Sequence, residues 1–227
     1  MRDKALTTYR LIDLSHPIHD GMPVYPGDEP VSIHRRGSVA ANGYALSAIR
    51  FSTHAGTHVD APAHMLPDGE GIGSMDLCRF FGSACILDCT TCSGSIDLAH
   101  LEIHMERIST SEMLLLRTGW DSHWGNSSYF SGYPVLDRKA AELLAQSRLS
   151  AVGIDAPSFD AAENNDFPVH HKLLAAGKIL IENLTGLRNL PDEGFLLGAF
   201  PLSFGKDIDG SPVRAVAWIQ RNQEVTP

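Results

Sequence analysis

Basic residues are scarce in this sequence. Its 227 residues include 18 Lys and Arg against 27 Asp and Glu, which gives a formal net charge of −9. Proteins that bind nucleic acid carry clustered Lys and Arg that displace counterions from the phosphate backbone. The sequence has no such cluster, so we expect no nucleic-acid partner.

Long apolar runs are absent as well. The first twenty residues, MRDKALTTYRLIDLSHPIHD, lack the apolar segment of a signal peptide. No run approaches the ~18 apolar residues of a membrane span. We therefore expect no membrane partner and predict a cytoplasmic protein. With 43% hydrophobic residues and no linker or repeat, residues 1–227 are predicted to form one domain.

Cysteine is rare and confined to one segment, as Cys78, Cys85, Cys89 and Cys92. The last two form a C-x-x-C pair. A zinc ribbon would need a second such pair, and a thioredoxin-like motif would need a strand-to-helix junction. The four residues are predicted to be inert, semi-buried thiols in a reducing compartment.

Short apolar runs between Gly and Pro residues predict an α/β fold. Residues 44–51, 84–87 and 113–116 have the length and composition of strands. Asp137 is a plausible N-cap for a helix through Ala145. Residues 151–154 predict a buried strand, Pro168 begins a helix that ends near Gly177, and residues 179–184 predict the next strand. Strand, helix and strand at this spacing favour a crossover unit in a mixed sheet.

The C-terminal part has a weaker pattern. Two strand-like runs, residues 195–202 and 213–219, flank the pair Asp209-Gly210. Asp-Gly favours turns, so a hairpin with a long loop is predicted here.

Residues 52–65, STHAGTHVDAPAHM, concentrate three histidines and an aspartate. Imidazole nitrogen and carboxylate oxygen together suit Zn²⁺ or Mn²⁺. On a straight strand His54 and His58 would lie ~13 Å apart, too far for one ion. On a helix Asp60 would point away from His58. A bent segment that turns at Gly56 is therefore predicted, with His64 close behind it.

Further ligands are expected from the second half of the chain. Glu182 lies within ILIENL, where alternation places it on one face with Leu180 and Leu184. A carboxylate there is costly unless it is paired or coordinates a metal, although a partly exposed edge-strand glutamate is the alternative. His170 and His171, at the start of the preceding helix, could reach the same place, or one of them could be a capping or surface histidine.

Residues 54–64, HAGTHVDAPAH, match the pattern H-x-G-T-H-x-D-x-P-x-H, which resembles the signature of the metal-dependent cyclase-like hydrolases. That family includes bacterial kynurenine formamidase and isatin hydrolase. Four more blocks resemble the family in the expected order, so the likeness covers nearly the whole chain. They are residues 12–28 (IDLSHPIHDGMPVYPGD), 114–120 (LLLRTGW), 153–160 (GIDAPSFD), and FPVHH followed by ILIENL.

The resemblance implies a swivelling β/β/α domain that forms dimers or tetramers. It also implies one or two divalent ions, Zn or Mn. His54, His58 and Asp60 would bind metal, and Asp60 could bridge to a second ion held by His170 and Glu182. His64 would act as the catalytic acid/base rather than as a ligand.

The likeness bears on the substrate through aromatic residues. Members of the formamidase branch usually carry Trp where this chain has Tyr25. Having both His170 and Glu182 nevertheless favours the formamidase arrangement. Tyr25, Trp120 and Trp124 could form an aromatic wall around a flat substrate, or they could be core or interface residues. Ser158 lacks the G-x-S-x-G context of a serine nucleophile.

Hydrolysis is the chemistry that such a site favours. A bound ion lowers the pKa of water from ~15.7 toward ~7 and thereby activates it for attack on an amide or lactone carbonyl. His64 would relay a proton to the leaving group. The leading hypothesis is cleavage of an aryl formamide such as N-formylkynurenine, and the first alternative is opening of a cyclic amide, imide or lactone. A non-enzymatic metal-stabilised binding module is the other alternative, although structural zinc sites are usually rich in Cys.

Overall fold

A nine-stranded sheet organises the protein in this computed structural model, which describes residues 8–220. Its strands and those of two small sheets follow in chain order. They are β1 (Tyr9–Asp13), β2 (Ser32–Gly37), β3 (Leu46–Arg50), β4 (His58–Asp60), β5 (Phe81–Asp88), β6 (Ser95–Ile96), β7 (Met113–Arg117), β8 (Val135–Leu136), β9 (Ala151–Ile154), β10 (Ile179–Glu182), β11 (Phe195–Gly198), β12 (Gly210–Pro212) and β13 (Val216–Gln220).

The helices of the described part are short. They are α1 (Val39–Asn42), α2 (Leu98–Glu102), α3 (Met105–Ser109), α4 (Arg138–Gln146) and α5 (Pro168–Ala175), with several 3₁₀ turns between strands. No helix among residues 8–220 has the length and hydropathy required to cross a bilayer.

The large sheet is mixed. Its strand order is β1-β13-β11-β5-β7-β9-β10-β4-β12. The central strands β5, β7, β9 and β10 run parallel, and every other neighbouring pair is antiparallel. Strands β2 and β3 form a separate antiparallel hairpin, and β6 pairs with β8 in a two-stranded parallel sheet. The predicted α/β fold with a mixed central sheet is confirmed.

Both faces of the central strands are buried, which explains their continuous apolar sequence. Along β7, Met113 and Leu115 enter one apolar cluster, while Leu114 and Leu116 enter another on the opposite face. Helices α4 and α5 pack over the second cluster. The first cluster contains residues from every strand of the large sheet except β12, so the sheet curls around it. A bridge between Ser15 and Leu184 connects the chain just beyond β1 to the chain just beyond β10.

Local signals in the sequence account for α4 and α5. The Asp137 carboxylate accepts a hydrogen bond from the Ala140 N–H at 2.6 Å and caps α4 as predicted. Pro168 occupies the first turn of α5, where its missing N–H costs nothing. The unit β9-α5-β10 is the predicted crossover, since β9 and β10 are parallel neighbours.

Two sequence predictions need correction. The strand predicted at residues 179–184 ends at Glu182, because Asn183 adopts a positive φ of 55°. In the C-terminal part, β11 and β13 do pair as a hairpin, but the connection is not a simple loop. It contains β12, which pairs with β4 at the far edge of the sheet. The predicted domain boundaries, residues 1 and 227, lie outside the described residues.

We predict that replacing Leu115 with Ala lowers the free energy of unfolding by about 2 to 5 kcal/mol, because it leaves a cavity in the first cluster. Leu115 is fully buried, whereas Leu77 is 64% exposed. Leu77→Ala is the matched control and should change stability by less than about 0.5 kcal/mol. Urea denaturation measures both, and equal midpoints for the two variants would contradict this placement of the core.

Candidate metal centre

The histidine-rich segment bends where the sequence predicted. Gly56 has φ +66°, a left-handed conformation that a residue with a Cβ rarely adopts. Its carbonyl oxygen accepts a hydrogen bond from His58 Nδ1 at 2.8 Å. After this turn His58 begins β4, so His54 folds back beside His58 with ring centroids 5.0 Å apart.

Strand pairing brings the other residues to this segment. Strand β4 lies between β10 and β12 in the sheet. The register places His58 opposite Glu182 on β10, and it places Asp60 opposite Gly210 on β12. Glu182 is therefore buried in an interior strand at 5% exposure, and the edge-strand alternative is wrong.

Asp60 is the centre of the cluster. Its Oδ1 lies 2.8 Å from His54 Nδ1 and 3.2 Å from His58 Nε2. Its Oδ2 lies 3.7 Å from His170 Nε2, which is 3.0 Å from Glu182 Oε1. The second Glu182 oxygen, Oε2, lies 3.5 Å from His58 Nε2. The five expected ligands thus converge on one place.

His170 owes its position to the loop after β9. Asp160 on this loop accepts hydrogen bonds from the Val169 and His170 backbone N–H groups at 3.1 and 3.0 Å. Its Oδ2 also lies 2.7 Å from His170 Nδ1. The ring is therefore turned so that Nε2 faces Glu182. His171, the neighbouring candidate, is exposed on the outer face of α5.

His64 joins the cluster from a 3₁₀ turn, Pro62–His64. Its ring lies 4.0 Å from the His54 ring, and its Nδ1 lies 3.6 Å from Asp209 Oδ2. The cluster contains two groups of three residues whose donor atoms lie close enough together to bind one ion. One group is His54, Asp60 and His64, and the other is His58, Asp60 and Glu182. Asp60 belongs to both sets.

Burial and neighbouring charges shift the pKa values of the histidines and of Asp60 in the cluster. Burial alone would lower the pKa of His54, but Asp60 and Asp209 outweigh it and raise that pKa to about 10. Burial opposes ionisation of His170 too, yet Asp160 and Glu182 raise its pKa to about 10. Burial likewise disfavours the Asp60 carboxylate, but His58 and His54 hold its pKa well below the usual range. Burial lowers the pKa of His64.

These residues fit a divalent cation. Asp60 Oδ2 is buried and has no hydrogen-bond partner among the described residues, an arrangement that a metal–oxygen bond would satisfy. His58 and His170 direct Nδ1 to a carbonyl and a carboxylate respectively, which leaves Nε2 facing the cluster. Metal-binding histidines are held in this way, with the other ring nitrogen bonded to a protein oxygen.

The cluster forms the floor of a cavity of about 240 Å³. Aromatic and apolar side chains form its walls, and Ser158 lies at its side. The wall residues are Pro23, Val24, Tyr25, Trp124, Phe130 and Phe167. A flat, largely apolar molecule suits such a space.

Tyr25 and Trp124 line this cavity, but Trp120 does not. Trp120 packs against the second apolar cluster, and its Nε1 donates a hydrogen bond to the Tyr129 carbonyl at 2.8 Å. Trp120 therefore lies away from the cavity, and of the two tryptophans considered it is Trp124 that lines it. Trp124 is stacked on His16 with ring centroids 3.9 Å apart, which holds its indole against the cavity.

Backbone strain is concentrated at the cavity. Phe167 and Asn183 are the non-glycine residues with positive φ among residues 8–220, and both line it. Such conformations cost about 1 to 3 kcal/mol and persist where the surroundings enforce them. The Asn183 side chain is fixed on both sides, since Nδ2 donates to the Gly56 carbonyl and Oδ1 accepts from the Tyr129 hydroxyl.

Sequence reasoning missed Asp209 and Asp160. Asp209 Oδ2 lies 2.9 Å from His54 Nε2, and its Oδ1 accepts a hydrogen bond from Thr53. The Asp-Gly pair looked like a turn signal, which concealed this contact. Asp160 is the last residue of GIDAPSFD, ten residues before His170. Its position shortly before a helix that begins with Pro could have indicated a contact with the start of that helix.

An α/β fold that gathers imidazoles and carboxylates on the floor of an aromatic cavity defines a metal-binding protein with a site for a small molecule. The sequence profile described as "Putative cyclase" matches residues 12–161. The chain belongs to this cyclase family, as its motif suggested.

Two kynurenine formamidases are similar to this chain over almost its whole length. It is 34% identical over 213 residues to a kynurenine formamidase of Bacillus cereus, covering 93% of this chain and 98% of that protein. A kynurenine formamidase of Polaromonas naphthalenivorans is 31% identical, with coverage of 93% and 92%.

Solved structures share the fold. Isatin hydrolase A from Labrenzia aggregata superposes with a TM-score of 0.85 at 24% identity, covering 96% of each chain. A predicted metal-dependent hydrolase from Bacillus stearothermophilus has a TM-score of 0.75 at 27% identity, covering 92% of this chain and 98% of that one.

We predict that Gly210→Ala impairs the metal centre, because a Cβ at this position would lie 2.8 Å from His54 Cε1 and 2.9 Å from the Val59 carbonyl. The expected result is a Zn²⁺ affinity at least about tenfold weaker, as found when groups that orient a ligand are lost. Isothermal titration of metal-free protein measures it. Gly205→Ala is the control, because its Cβ would meet no atom within 4 Å. Equal affinities in the two variants would contradict the close approach of β12 to His54.

Proposed function

We propose that this chain is a metal-dependent hydrolase that cleaves the amide bond of an aryl formamide, with N-formylkynurenine as the leading substrate. The observation that carries the proposal is the unpartnered Asp60 oxygen within a set of imidazoles and carboxylates that faces an aromatic cavity. The names of the relatives at 31 to 34% identity support the choice of bond and substrate.

His54, His58, Asp60, His170 and Glu182 would hold one or two divalent ions, Zn²⁺ or Mn²⁺. When bound, such an ion supplies Lewis acidity, which polarises a carbonyl and makes water a stronger acid. Asp60 contributes to both sets of donor atoms, so it is the residue suited to bridge two ions. Histidine and carboxylate ligands accept either metal.

His64 acts as the acid/base group. Its Nδ1 faces Asp209 at 3.6 Å, which leaves Nε2 for the substrate. A formamide that breaks at its C–N bond needs a proton on the departing aryl amine, and an imidazole can take a proton from water and return it there. This distinguishes the role of His64 from that of the five ligands.

The cavity walls orient the ring of the substrate. Trp124 is held by His16 and by Tyr129, whose ring lies 5.0 Å away at a steep angle. Tyr25 contacts Phe130 edge to face at 5.8 Å. Tyr129 also contacts Phe130 at 5.0 Å, so these rings form one continuous aromatic group beside the carboxylates. A flat aryl group packed against it would present its amide to the cluster.

We also propose that the chain forms homo-oligomers, dimers or tetramers. The hairpin of β2 and β3 supports this, because its Leu46 and Ile49 side chains are each about half exposed, at 51% and 55%. A two-stranded hairpin is marginally stable unless another surface packs on it. A second copy of the chain would supply that surface.

Hydrolysis of N-formylkynurenine by the purified protein should depend on metal. Stripping with a chelator should abolish turnover, and added Zn²⁺ or Mn²⁺ should restore it. Without the ion, no Lewis acid polarises the carbonyl of the substrate. Absorbance of the kynurenine product follows the reaction. Absence of cleavage by metal-replete protein would refute the formamidase proposal, and cleavage of a cyclic amide such as isatin would then identify the ring-opening alternative.

The variant His64→Ala should bind metal like the wild type but lose about 10²- to 10⁴-fold in kcat, the usual contribution of general acid–base catalysis. Metal content by mass spectrometry and steady-state kinetics are measured on the same preparation. His171→Ala, on the exposed side of α5, is the control and should retain full activity. Loss of metal from His64→Ala would show that His64 is a ligand instead, and unchanged kcat would exclude it from catalysis.

A further inference from the structure

Two sulfurs and an imidazole meet away from the aromatic cavity. Cys89, Cys92 and His100 each offer a donor atom, and these three atoms lie within 4.8 Å of one another. All three residues are outside the set that lines the cavity. All four cysteines were expected to be inert thiols, and His100 brings a third donor to two of them from a helix after an intervening strand.

The chain builds this group from a tight turn and a capped helix. After β5, the Cys89 N–H donates to the Arg117 carbonyl at 2.8 Å, and the Cys92 N–H donates to the Cys89 carbonyl at 3.0 Å. These bonds fold both cysteines into one turn. Strand β6 then leads to α2, whose N-cap Asp97 accepts a hydrogen bond from the His100 backbone N–H at 2.9 Å. His100 is thereby placed on the first turns of α2.

The orientation of His100 resembles that of a metal-binding histidine. Its Nε2 lies 2.8 Å from the Asp88 carbonyl oxygen, an acceptor only, so Nε2 carries the proton and donates. In the neutral ring Nδ1 then has a lone pair for a ligand. A hydrogen bond from one ring nitrogen to a backbone carbonyl is the usual way in which proteins fix the tautomer of a metal-binding histidine.

The donor set selects a cation different from that of the carboxylate-rich cluster. Two thiolates and one imidazole are ligands typical of Zn²⁺, which takes four ligands in tetrahedral geometry. Cys89 is fully buried, whereas Cys92 and His100 are partly exposed, so an ion has a route in from the surface. The fourth position would face that surface and be filled by solvent.

We propose that Cys89, Cys92 and His100 form a second metal site, suited to Zn²⁺ and separate from the hydrolytic centre. Binding there ties the turn at residues 88–92 to α2, which packs against α4. The site stabilises this edge of the second apolar cluster. A disulfide between the two cysteines is the competing use of the same pair.

Cobalt provides the test, because Co²⁺ bound to thiolate has a near-ultraviolet sulfur-to-metal charge-transfer band that nitrogen and oxygen ligands do not give. Reduced, metal-free wild type should develop this band on titration with Co²⁺, and Zn²⁺ should remove it. The band should vanish in Cys92→Ser. In His100→Ala the affinity should fall at least about tenfold, as for loss of a group that supports a metal.

Cys78→Ser is the matched control, since Cys78 is an exposed cysteine outside the group. It should retain the band at full intensity. Absence of the band in the wild type, or its persistence in Cys92→Ser, would overturn the proposal. Thiol titration of protein purified without reductant should find four free cysteines, and a count of two with loss of two hydrogens in mass would show the disulfide instead.

A stability measurement addresses the structural consequence independently of catalysis. Zn²⁺ should slow amide hydrogen exchange in α2 and in the turn at residues 88–92 of the wild type. It should not do so in Cys92→Ser, whose hydrolytic centre is intact. Equal protection by Zn²⁺ in both proteins would contradict the second site.

Discussion

The burial of the Asp60 carboxylate is the constraint on which the rest of the site depends. Removing an ionised carboxylate from water costs several kcal/mol unless opposite charge compensates it. At 1% exposure Asp60 has no solvent to provide this compensation, so His54, His58 and His170 surround it. A divalent cation would replace the protons of these imidazoles with a stronger charge. The grouping of imidazoles around a buried carboxylate therefore also suits the segment to hold a metal ion.

The sheet supplies the rigidity that this arrangement needs. Strand β4 has only three residues, but it is held between β10 and β12, and His58 and Asp60 occupy its two ends. Strain is located beside it, at Phe167 and Asn183, and the buried hydrogen bonds of Asn183 hold that backbone in place. Strands thus fix the donor atoms of His58, Asp60 and Glu182, while His54, His64 and His170 reach them from turns and from α5.

The sequence predicted the features that depend on residues close together in the chain. The bend at Gly56, the capped α4 and the crossover through α5 follow from local patterns. Asp209 could not be found in this way, because it is 155 residues from His54 and reaches it only through the pairing of β12 with β4. The position of Trp120 outside the cavity wall could not be predicted for a related reason. An aromatic side chain suits a core as well as a cavity, and only the packing decides between them.

Anomalous diffraction from crystals grown with Zn²⁺ tests the central claim most directly. The account predicts a strong peak about 2.0 to 2.2 Å from both His58 Nε2 and an Asp60 carboxylate oxygen, the usual lengths of bonds from zinc to nitrogen and oxygen. A second peak on the other side of Asp60 would establish the bridging role of its carboxylate. A map without a peak at Asp60, from protein whose crystals contain zinc elsewhere, would contradict the account.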